Sequence, residues 1–183
     1  MTKQEARKAA KTAFEAWTAG NPESQEAASR IIMERVEASG EFRSAGTVLA
    51  YMSIRGEVMT RGLIDRWHGQ KRIVLPLVKG GSLALKLYDP SRLVEGYRGI
   101  IEPTEDAVDI DPSEIGLAIV PGAAFTVRND GTVLRLGRGG GFYDLLLPHL
   151  DCPAFGVCYS CRVLDDIPTD PWDRPLDRLF TEK

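Results

Sequence analysis

Residues 117–120 are Leu-Ala-Ile-Val, a short apolar run of a kind that recurs along the chain. Runs of four to eight residues rich in Val, Ile and Leu are typical of β-strands buried in a sheet. Four more segments have this character: Thr47 to Met52, Arg72 to Leu77, Leu83 to Tyr88 and Ala154 to Tyr159. Between two of them, Thr60 to Trp67 has the pattern of a short helix. The alternation predicts an α/β fold.

Two helices are expected before the first strand. Apolar residues recur at helical spacing from Ala6 to Trp17, and the helix should stop at Gly20, where a positive φ is easily accommodated. Asn21 then offers a capping oxygen, and Pro22 suits the first position of a second helix. The apolar stripe of that helix and its closing pair are Ala28, Ile31, Ile32 and Val36, then Ser39-Gly40.

Length and composition indicate one domain. The chain has 183 residues and is 43% hydrophobic, which suffices for one buried core. Asp89 to Pro112 is rich in Pro, Gly and acidic residues and is expected to be irregular surface chain. We therefore expect residues 1–183 to form a single-domain three-layer α/β sandwich. It should have a mostly parallel central sheet, helices on both faces and two N-terminal helices.

Charge and hydropathy exclude two classes of partner. The net charge is −3, and Lys and Arg are spread among Asp and Glu, so nucleic acid is not an expected partner. No apolar run approaches the roughly 18 residues that cross a bilayer, and the first residues lack the apolar centre of a secretory signal. We expect a cytoplasmic protein without a membrane partner, present as a monomer or weak homodimer.

The three cysteines lie close together, and Cys158 and Cys161 have the spacing of a redox or zinc pair. A lone pair without a second such pair or nearby histidines is weak evidence for a metal. The simpler interpretation makes Cys158 a small core residue and Cys161 a chance neighbour. His68 and His149 have no evident catalytic partners and are interpreted as surface or structural residues.

The most informative segment is Arg135 to Asp144, which reads RLGRGGGFYD and holds four glycines in five positions. Each glycine costs about 1 kcal/mol against alanine in a helix interior, so a loop is expected. Exposed loop amides flanked by Arg135 and Arg138 would attract an anion. The segment is neither a Walker A loop nor a G-x-G-x-x-G motif. Composition alone leaves phosphate binding and a structural glycine turn both open.

The string closely resembles the RLGRGxGYYD signature of the 5-formyltetrahydrofolate cyclo-ligases, also called methenyltetrahydrofolate synthetases. Ile119 to Gly122 with Phe125 is similar to the family's strand that ends in Pro-Gly, and Tyr51 to Val58 resembles the segment around its substrate glutamate. Three further segments follow in the family's order: Leu75-Pro76, Gly99 to Pro103 and Asp173 to Asp177. The resemblance covers nearly the whole chain.

The resemblance implies that the chain binds ATP. It assigns nucleotide binding to two N-terminal cations and to the loop: Lys3, Arg7, Arg135, Leu136, Gly137, Arg138, Gly139, Gly140, Gly141, Phe142 and Tyr143. Arg138 and Lys3 are the expected catalytic cations. Without the resemblance, Lys3 and Arg7 would be interpreted as a solvated basic helix face.

The resemblance also implies a folate site and a Mg²⁺ site. Glu57 contacts the folate, Met52 lines its pocket, and loop residues border it: Arg138, Gly139, Gly140, Gly141 and Phe142. Asp144 and Asp173 match the Mg²⁺ positions, and two carboxylates with ATP phosphate oxygens would suffice for that ion. Taken singly, Glu57 would be an exposed strand-end residue, Asp144 a first-turn aspartate favoured by the helix dipole, and Asp173 a loop residue.

The reaction implied is the ATP-dependent conversion of 5-formyltetrahydrofolate to 5,10-methenyltetrahydrofolate, ADP and phosphate. The chain departs from the family pattern at Thr126, Arg162, Trp172 and Phe142, and residues 127–134 are a few residues longer, as in a lengthened hairpin turning at residues 129–131. These departures leave two alternatives. One is a diverged ATP-dependent ligase or kinase acting on another amide or pterin, and the other is a non-catalytic folate-binding protein.

Overall fold

The computed structural model describes residues 1–20, 23–96 and 99–183. Its helices are α1 (Lys3–Ala19), α2 (Ser24–Ala38), α3 (Gly40–Ser44), α4 (Arg61–Trp67) and α5 (Phe142–Leu146). Its strands are β1 (Thr47–Leu49), β2 (Arg72–Lys79), β3 (Ser82–Leu87), β4 (Leu93–Glu95), β5 (Ile101–Pro103), β6 (Leu117–Val120), β7 (Ala124–Val127), β8 (Val133–Leu136), β9 (Ala154–Val157) and β10 (Arg178–Phe180). Short 3₁₀ turns include Pro112–Glu114, Leu147–His149 and Ser160–Arg162.

Six strands form the central sheet in the order β10-β9-β6-β1-β2-β3. Neighbouring strands are parallel except β2 and β3, which are antiparallel. Val48 in β1 lies opposite Ile73 on one side and opposite Leu117 on the other. The mostly parallel sheet predicted from the apolar runs is therefore confirmed.

Side chains of each central strand alternate between two apolar layers. Leu117 and Ile119 of β6 pack into the cluster that includes residues of α2, α3 and α4. Ala118 and Val120 point the other way, into the cluster with α5 and the 3₁₀ turn after it. Helices thus cover both faces, as the three-layer prediction requires. Within the described ranges, no helix is long and apolar enough to span a membrane.

The start of α1 is fixed by a capping box. The Thr2 side chain accepts the Glu5 N–H, and the Glu5 carboxylate accepts the Thr2 N–H. The helix ends before Gly20 as predicted, but Gly20 has φ −87°, so the expected positive φ is wrong. The predicted capping by Asn21 and Pro22 lies outside the described residues.

The segment Asp89 to Pro112 is more ordered than its composition indicates. It contains β4 and β5, which pair antiparallel, and β5 packs against β2. Glu102 and Pro103 are buried there. The expectation of irregular surface chain is wrong for this part, because neighbouring strands rather than local propensity order it.

Residues 124–136 form the lengthened hairpin of β7 and β8. Its turn has a hydrogen bond from the Gly131 N–H to the Arg128 carbonyl, and Gly131 has φ +85°. Thr126 in β7 is buried, and its hydroxyl donates to the Leu164 carbonyl. The departure at Thr126 is thus part of the packing beneath the hairpin.

All three cysteines are free. Cys158 is 2% exposed directly after β9, which confirms its interpretation as a core residue. Burial raises the pKa of the thiols of Cys152, Cys158 and Cys161, so they stay protonated at neutral pH.

Candidate active site

An open cleft of about 1070 Å³, including its mouth, lies at the carboxyl ends of the central strands. Strands β2 and β3 lie on one side of β1, and β6, β9 and β10 on the other. The winding of the chain therefore reverses between β1 and β6, and such reversals leave a crevice that binds ligands. Tyr51 and Met52 follow β1, and Pro121 and Gly122 follow β6, and all four line the cleft.

The cleft has an apolar wall and a polar wall. The apolar wall is formed by Met52, Leu75, Val78, Leu83 and Ile101. Five charged side chains also line the cleft: Glu57, Glu102, Arg135, Arg138 and Asp144. A cleft with apolar walls and a few placed polar groups suits a flat ring system with polar edges.

The glycine segment is a loop between β8 and α5, as predicted. Gly139 has φ +104° and Gly141 has φ +70°, a region that L side chains rarely adopt. A Cβ at Gly140 would lie 2.9 Å from the Phe142 ring. Glycine is thus needed at successive positions, so backbone rather than side chain faces the cleft here.

Helix α1 holds this loop through Arg7. The Arg7 Nε donates to the Gly137 carbonyl at 2.8 Å, and a side chain at Gly139 would touch the Arg7 guanidinium. This contact ties residues that are 130 positions apart in sequence. The N-terminal helix is therefore part of the site, as the resemblance implies.

Lys3 lies one helical turn before Arg7, roughly 6 Å along the helix axis. Its Nζ contacts the Oδ2 atoms of Asp170 at 2.6 Å and of Asp173 at 3.0 Å. Burial alone would lower the pKa of Lys3, but the hydrogen bonds to these two carboxylates raise it overall. Lys3 is therefore a fixed cation at neutral pH.

Arg135 is buried beneath the loop. Its side chain is 4% exposed, and its guanidinium forms an ion pair with Asp144 and donates to the Pro121 carbonyl. Burial lowers the pKa of Arg135, and the charge of Asp144 opposes that shift. Most of its charge is met within the protein, so Arg135 supports the loop more than it attracts an anion.

Arg138 and Glu57 form an ion pair at the cleft, with 2.8 Å between Arg138 Nε and Glu57 Oε1. The Arg138 side chain is 39% exposed and that of Glu57 is 8% exposed. Glu57 Oε2 also accepts the Ile54 N–H, and Tyr159 Oη donates to the Glu57 carbonyl. Glu57 is thus held by contacts besides the ion pair, and Arg138 is the more exposed partner of the pair.

Most predicted site residues line this cleft: Met52, Glu57, Arg135, Gly137, Arg138, Gly140, Gly141, Phe142, Tyr143 and Asp144. Lys3, Arg7, Gly139 and Asp173 lie behind the lining, joined to it through α1 and the loop. Leu136 is buried in a separate apolar cluster with Ala6 and Ala10, so its side chain does not face the cleft. His68 and His149 are exposed elsewhere.

The carboxylates at the cleft are too few to hold Mg²⁺ by themselves, so phosphate oxygens of a nucleotide would have to complete its coordination. In residues 1–20, 23–96 and 99–183, no three His, Cys, Asp or Glu side chains cluster as a metal cage. Asp144 lines the cleft with one-third of its side chain exposed, and it offers a hard oxygen ligand. Asp173 is 11% exposed and already accepts from Lys3 and from the Asp170 N–H.

The structure adds four residues to the site that were named above only within segments resembling the family, without a role of their own. Tyr51 and Glu102 line the cleft, as do Pro121 and Gly122. A signal existed for three of them, because residues just beyond the carboxyl ends of central parallel strands meet at one edge. Glu102 had no such signal, since it comes from a three-residue strand outside the central sheet.

Comparison with known proteins agrees with this site. A model of the 5-formyltetrahydrofolate cyclo-ligase family matches residues 1–182. The 5-formyltetrahydrofolate cyclo-ligase of Escherichia coli (strain K12) is 32% identical over 169 residues, covering 87% of this chain and 91% of that protein. The one from Mycolicibacterium smegmatis is 31% identical over 155 residues, covering 79% and 78%.

Two solved structures share the fold. The 5,10-methenyltetrahydrofolate synthetase of Aquifex aeolicus has a TM-score of 0.85 and 32% identity, covering 100% of this chain and 91% of that one. The synthetase from Mycoplasma pneumoniae has a TM-score of 0.75 at 22% identity, covering 100% of both chains, and supports the fold alone. The match over nearly the full length, with relatives above 30% identity, shows that the chain belongs to the 5-formyltetrahydrofolate cyclo-ligase family.

Proposed function

We propose that the chain catalyses the ATP-dependent cyclisation of 5-formyltetrahydrofolate to 5,10-methenyltetrahydrofolate, with release of ADP and phosphate. The observation that carries the proposal is the ion pair between Arg138 and Glu57. The loop is expected to hold phosphate, and the Glu57 carboxylate is expected to hold the pterin. The ion pair shows that both lie at one cleft. The family match and the names of the relatives support the same activity.

The folate binds against the apolar wall in this proposal. Met52, Leu75 and Leu83 supply a surface for the pterin ring, as ring-binding pockets require. The Glu57 carboxylate is an acceptor and suits the N–H groups of the pterin edge. Glu57 therefore orients the folate and does not act as a nucleophile.

ATP binds along the glycine loop in this proposal. Loop amides from Gly137 to Gly141 approach the phosphates, and Arg138 with Lys3 and Arg7 supply positive charge. Tyr143 adds an observation that favours a polar ligand, because its buried hydroxyl has no hydrogen-bond partner in the described part of the protein. Asp144 would hold a Mg²⁺ ion that arrives with ATP, and that ion would offset the charge of the phosphates.

The chemistry follows from the poor leaving ability of a formamide oxygen. In the first step the formyl oxygen attacks the γ-phosphorus of ATP, and the bond to ADP breaks. The N10 lone pair then attacks the activated formyl carbon, the carbon–oxygen bond breaks and phosphate departs, while N10 loses its proton to solvent. Arg138 and the loop amides stabilise the charge that develops on the transferred phosphoryl group.

A cyclisation assay tests the proposal directly. Purified protein is mixed with 5-formyltetrahydrofolate, ATP and Mg²⁺, and the absorbance of the methenyl product is followed. We expect product only when ATP is present, and loss of product when Mg²⁺ is removed by a chelator. Product without ATP, or no product from folded protein with all components, would contradict the proposal.

The structure does not favour the alternatives. Thr126, one departure that motivated a different substrate, is packed under the hairpin and does not line the cleft. The non-catalytic alternative would not need a partly exposed cation such as Arg138 beside Glu57. The cytoplasmic location and the monomeric or weakly dimeric state stay predictions.

A further inference from the structure

Arg162, in the 3₁₀ turn after β9, is a buried cation that lacks a carboxylate partner. It is 6% exposed, and among the described side chains no acid lies within ion-pair distance of it. Its Nη1 donates to the Ala123 carbonyl at 3.1 Å, whereas its Nε is buried without a partner. Burying a charge without an ion-pair partner lowers the stability of the fold. A function for this charge would explain the position of Arg162.

The contacts of Arg162 place it directly behind the folate side of the cleft. Its guanidinium lies over the Phe14 ring, 4.5 Å from the centroid. Its Nη2 lies so close under Gly56 that a Cβ there would be 2.8 Å away. Arg162 therefore touches α1, the turn before Glu57 and the segment after β6. The last two of these form walls of the cleft.

Arg162 lines a crevice too narrow for a water molecule, together with Glu57, Pro121 and Gly122, and these three also line the cleft. Arg138 contacts the Glu57 carboxylate directly, and Arg162 borders the same crevice without contacting that carboxylate. Burial lowers the pKa of Arg162 and the charge of Arg138 lowers it further, while Cys161, Cys158 and Glu57 oppose the shift. Glu57 is the carboxylate among the groups whose charge opposes this shift.

Arg138 has two partners in the proposed function, Glu57 before substrates bind and phosphate afterwards. When Arg138 turns to phosphate, Glu57 loses its direct ion pair, while Arg162 stays fixed by Ala123 and Phe14. We propose that Arg162 is a positioning residue that holds the Glu57 carboxylate ready for the folate from behind. The inference rests on the proposed function, because it assigns Glu57 to the folate.

Steady-state kinetics of Arg162→Gln test this inference. Glutamine keeps a donor for the Ala123 carbonyl but removes the charge. We expect the KM for 5-formyltetrahydrofolate to rise about tenfold, as for residues coupled through one network, while the KM for ATP changes by less than about twofold. Arg162→Lys, which keeps the charge, should fold even where the glutamine variant does not, and should recover part of the folate KM.

A double variant separates positioning from packing. With Glu57→Gln already present, Arg162→Gln should change the folate KM by less than about twofold, because its effect acts through the Glu57 charge. Arg174 is the matched control, since it also donates to backbone carbonyls, those of Leu147 and Leu150, but does not line the cleft. Arg174→Gln should lower the melting temperature, but it should not raise the KM for 5-formyltetrahydrofolate relative to the KM for ATP.

The outcomes are distinguishable. An active wild-type protein in which Arg162→Gln leaves the folate KM unchanged, or raises both KM values equally, overturns the inference and leaves the proposed function intact. The inference is also overturned if Arg162→Gln raises the folate KM about tenfold in the protein that already carries Glu57→Gln. A wild-type protein without ATP-dependent cyclisation overturns the proposed function, and the inference with it.

Discussion

Arg138 is the residue at which the two halves of the cleft meet. It belongs to the glycine loop, is the more exposed partner of its ion pair, and contacts a carboxylate 81 positions earlier in the chain. Because the ion pair of a partly exposed arginine contributes little stability, we expect Arg138 to leave Glu57 for phosphate when a nucleotide binds.

Replacing Arg138 with alanine should lower kcat by about 100-fold or more, the scale for removal of one electrostatic donor to a transition state. The measurement is kcat for methenyl formation at saturating ATP. Arg55→Ala is the control, since Arg55 is exposed in the turn before Glu57 and does not line the cleft. Equal kcat values for the Arg138 variant and the wild type would remove Arg138 from the chemistry.

Asp144 and Asp173 should differ in what their loss does to stability. Asp144→Asn leaves the buried Arg135 guanidinium without its carboxylate and should cost about 3 kcal/mol, the lower end for such pairs because Asp144 is partly exposed. Asp173→Asn should cost about 1 kcal/mol or less, because Lys3 is partly solvated and keeps Asp170. Urea unfolding of both variants measures this difference, and equal costs would contradict it.

Arg135 shows which site properties the sequence could not supply. Arginine beside glycines predicts an anion site, but burial and the pairing with Asp144 depend on how the loop returns onto α5. Glu57 and Arg138 likewise meet only after β1 and β8 are placed around one cleft. The resemblance supplied the expected roles of Glu57 and Arg138, but it did not predict that the two side chains form an ion pair.

At the scale of elements, strands within apolar runs were predicted well, and the strands β4, β5 and β10 were not. The runs over Arg72 to Leu77 and over residues 117–120 became β2 and β6, because strands buried on both faces need apolar side chains throughout. No more than two apolar residues stand in a row around β4, β5 and β10, and pairing with a neighbour orders these strands. The hairpin turn was predictable because its Asn-Asp-Gly sequence favours one local conformation.

That turn gives a prediction on stability alone. Gly131 has φ +85°, so Gly131→Ala should destabilise the protein by about 1 kcal/mol while leaving kcat and both KM values unchanged. Gly20 is the matched control, because its φ is −87° and no atom lies within 4 Å of an added Cβ. Gly20→Ala should be neutral or stabilising by up to about 1 kcal/mol.

Thermal unfolding and steady-state kinetics of these two glycine variants check the prediction together. Loss of activity in a folded Gly131→Ala protein would show that the hairpin tip acts on the cleft. That result would contradict the lining described above, in which residues 123–134 take no part.

The whole molecule brings α1, the turn after β1, the end of β6 and the glycine loop around one space. Since Arg138 pairs with Glu57 in this arrangement, we expect a nucleotide that draws Arg138 to its phosphates to free the Glu57 carboxylate for the folate. Two ligands that share one such residue are thermodynamically coupled.

We therefore expect a non-hydrolysable ATP analogue to tighten folate binding by about tenfold, within the usual range of such couplings. Calorimetric titration of folate with and without the analogue measures the effect. The Arg138→Ala variant should bind folate with the same affinity in both titrations. Coupling that survives in this variant would mean that another contact links the two ligands.

The most direct test of phosphoryl activation uses 5-formyltetrahydrofolate labelled with ¹⁸O in the formyl group. If the formyl oxygen attacks ATP, that oxygen leaves with the transferred phosphoryl group, so each released phosphate should carry one label by mass spectrometry. Unlabelled phosphate formed at the rate of cyclisation would show that water, and not the formyl oxygen, receives the phosphoryl group. That result would contradict the proposal that the cleft transfers the γ-phosphoryl group of ATP to the formyl oxygen.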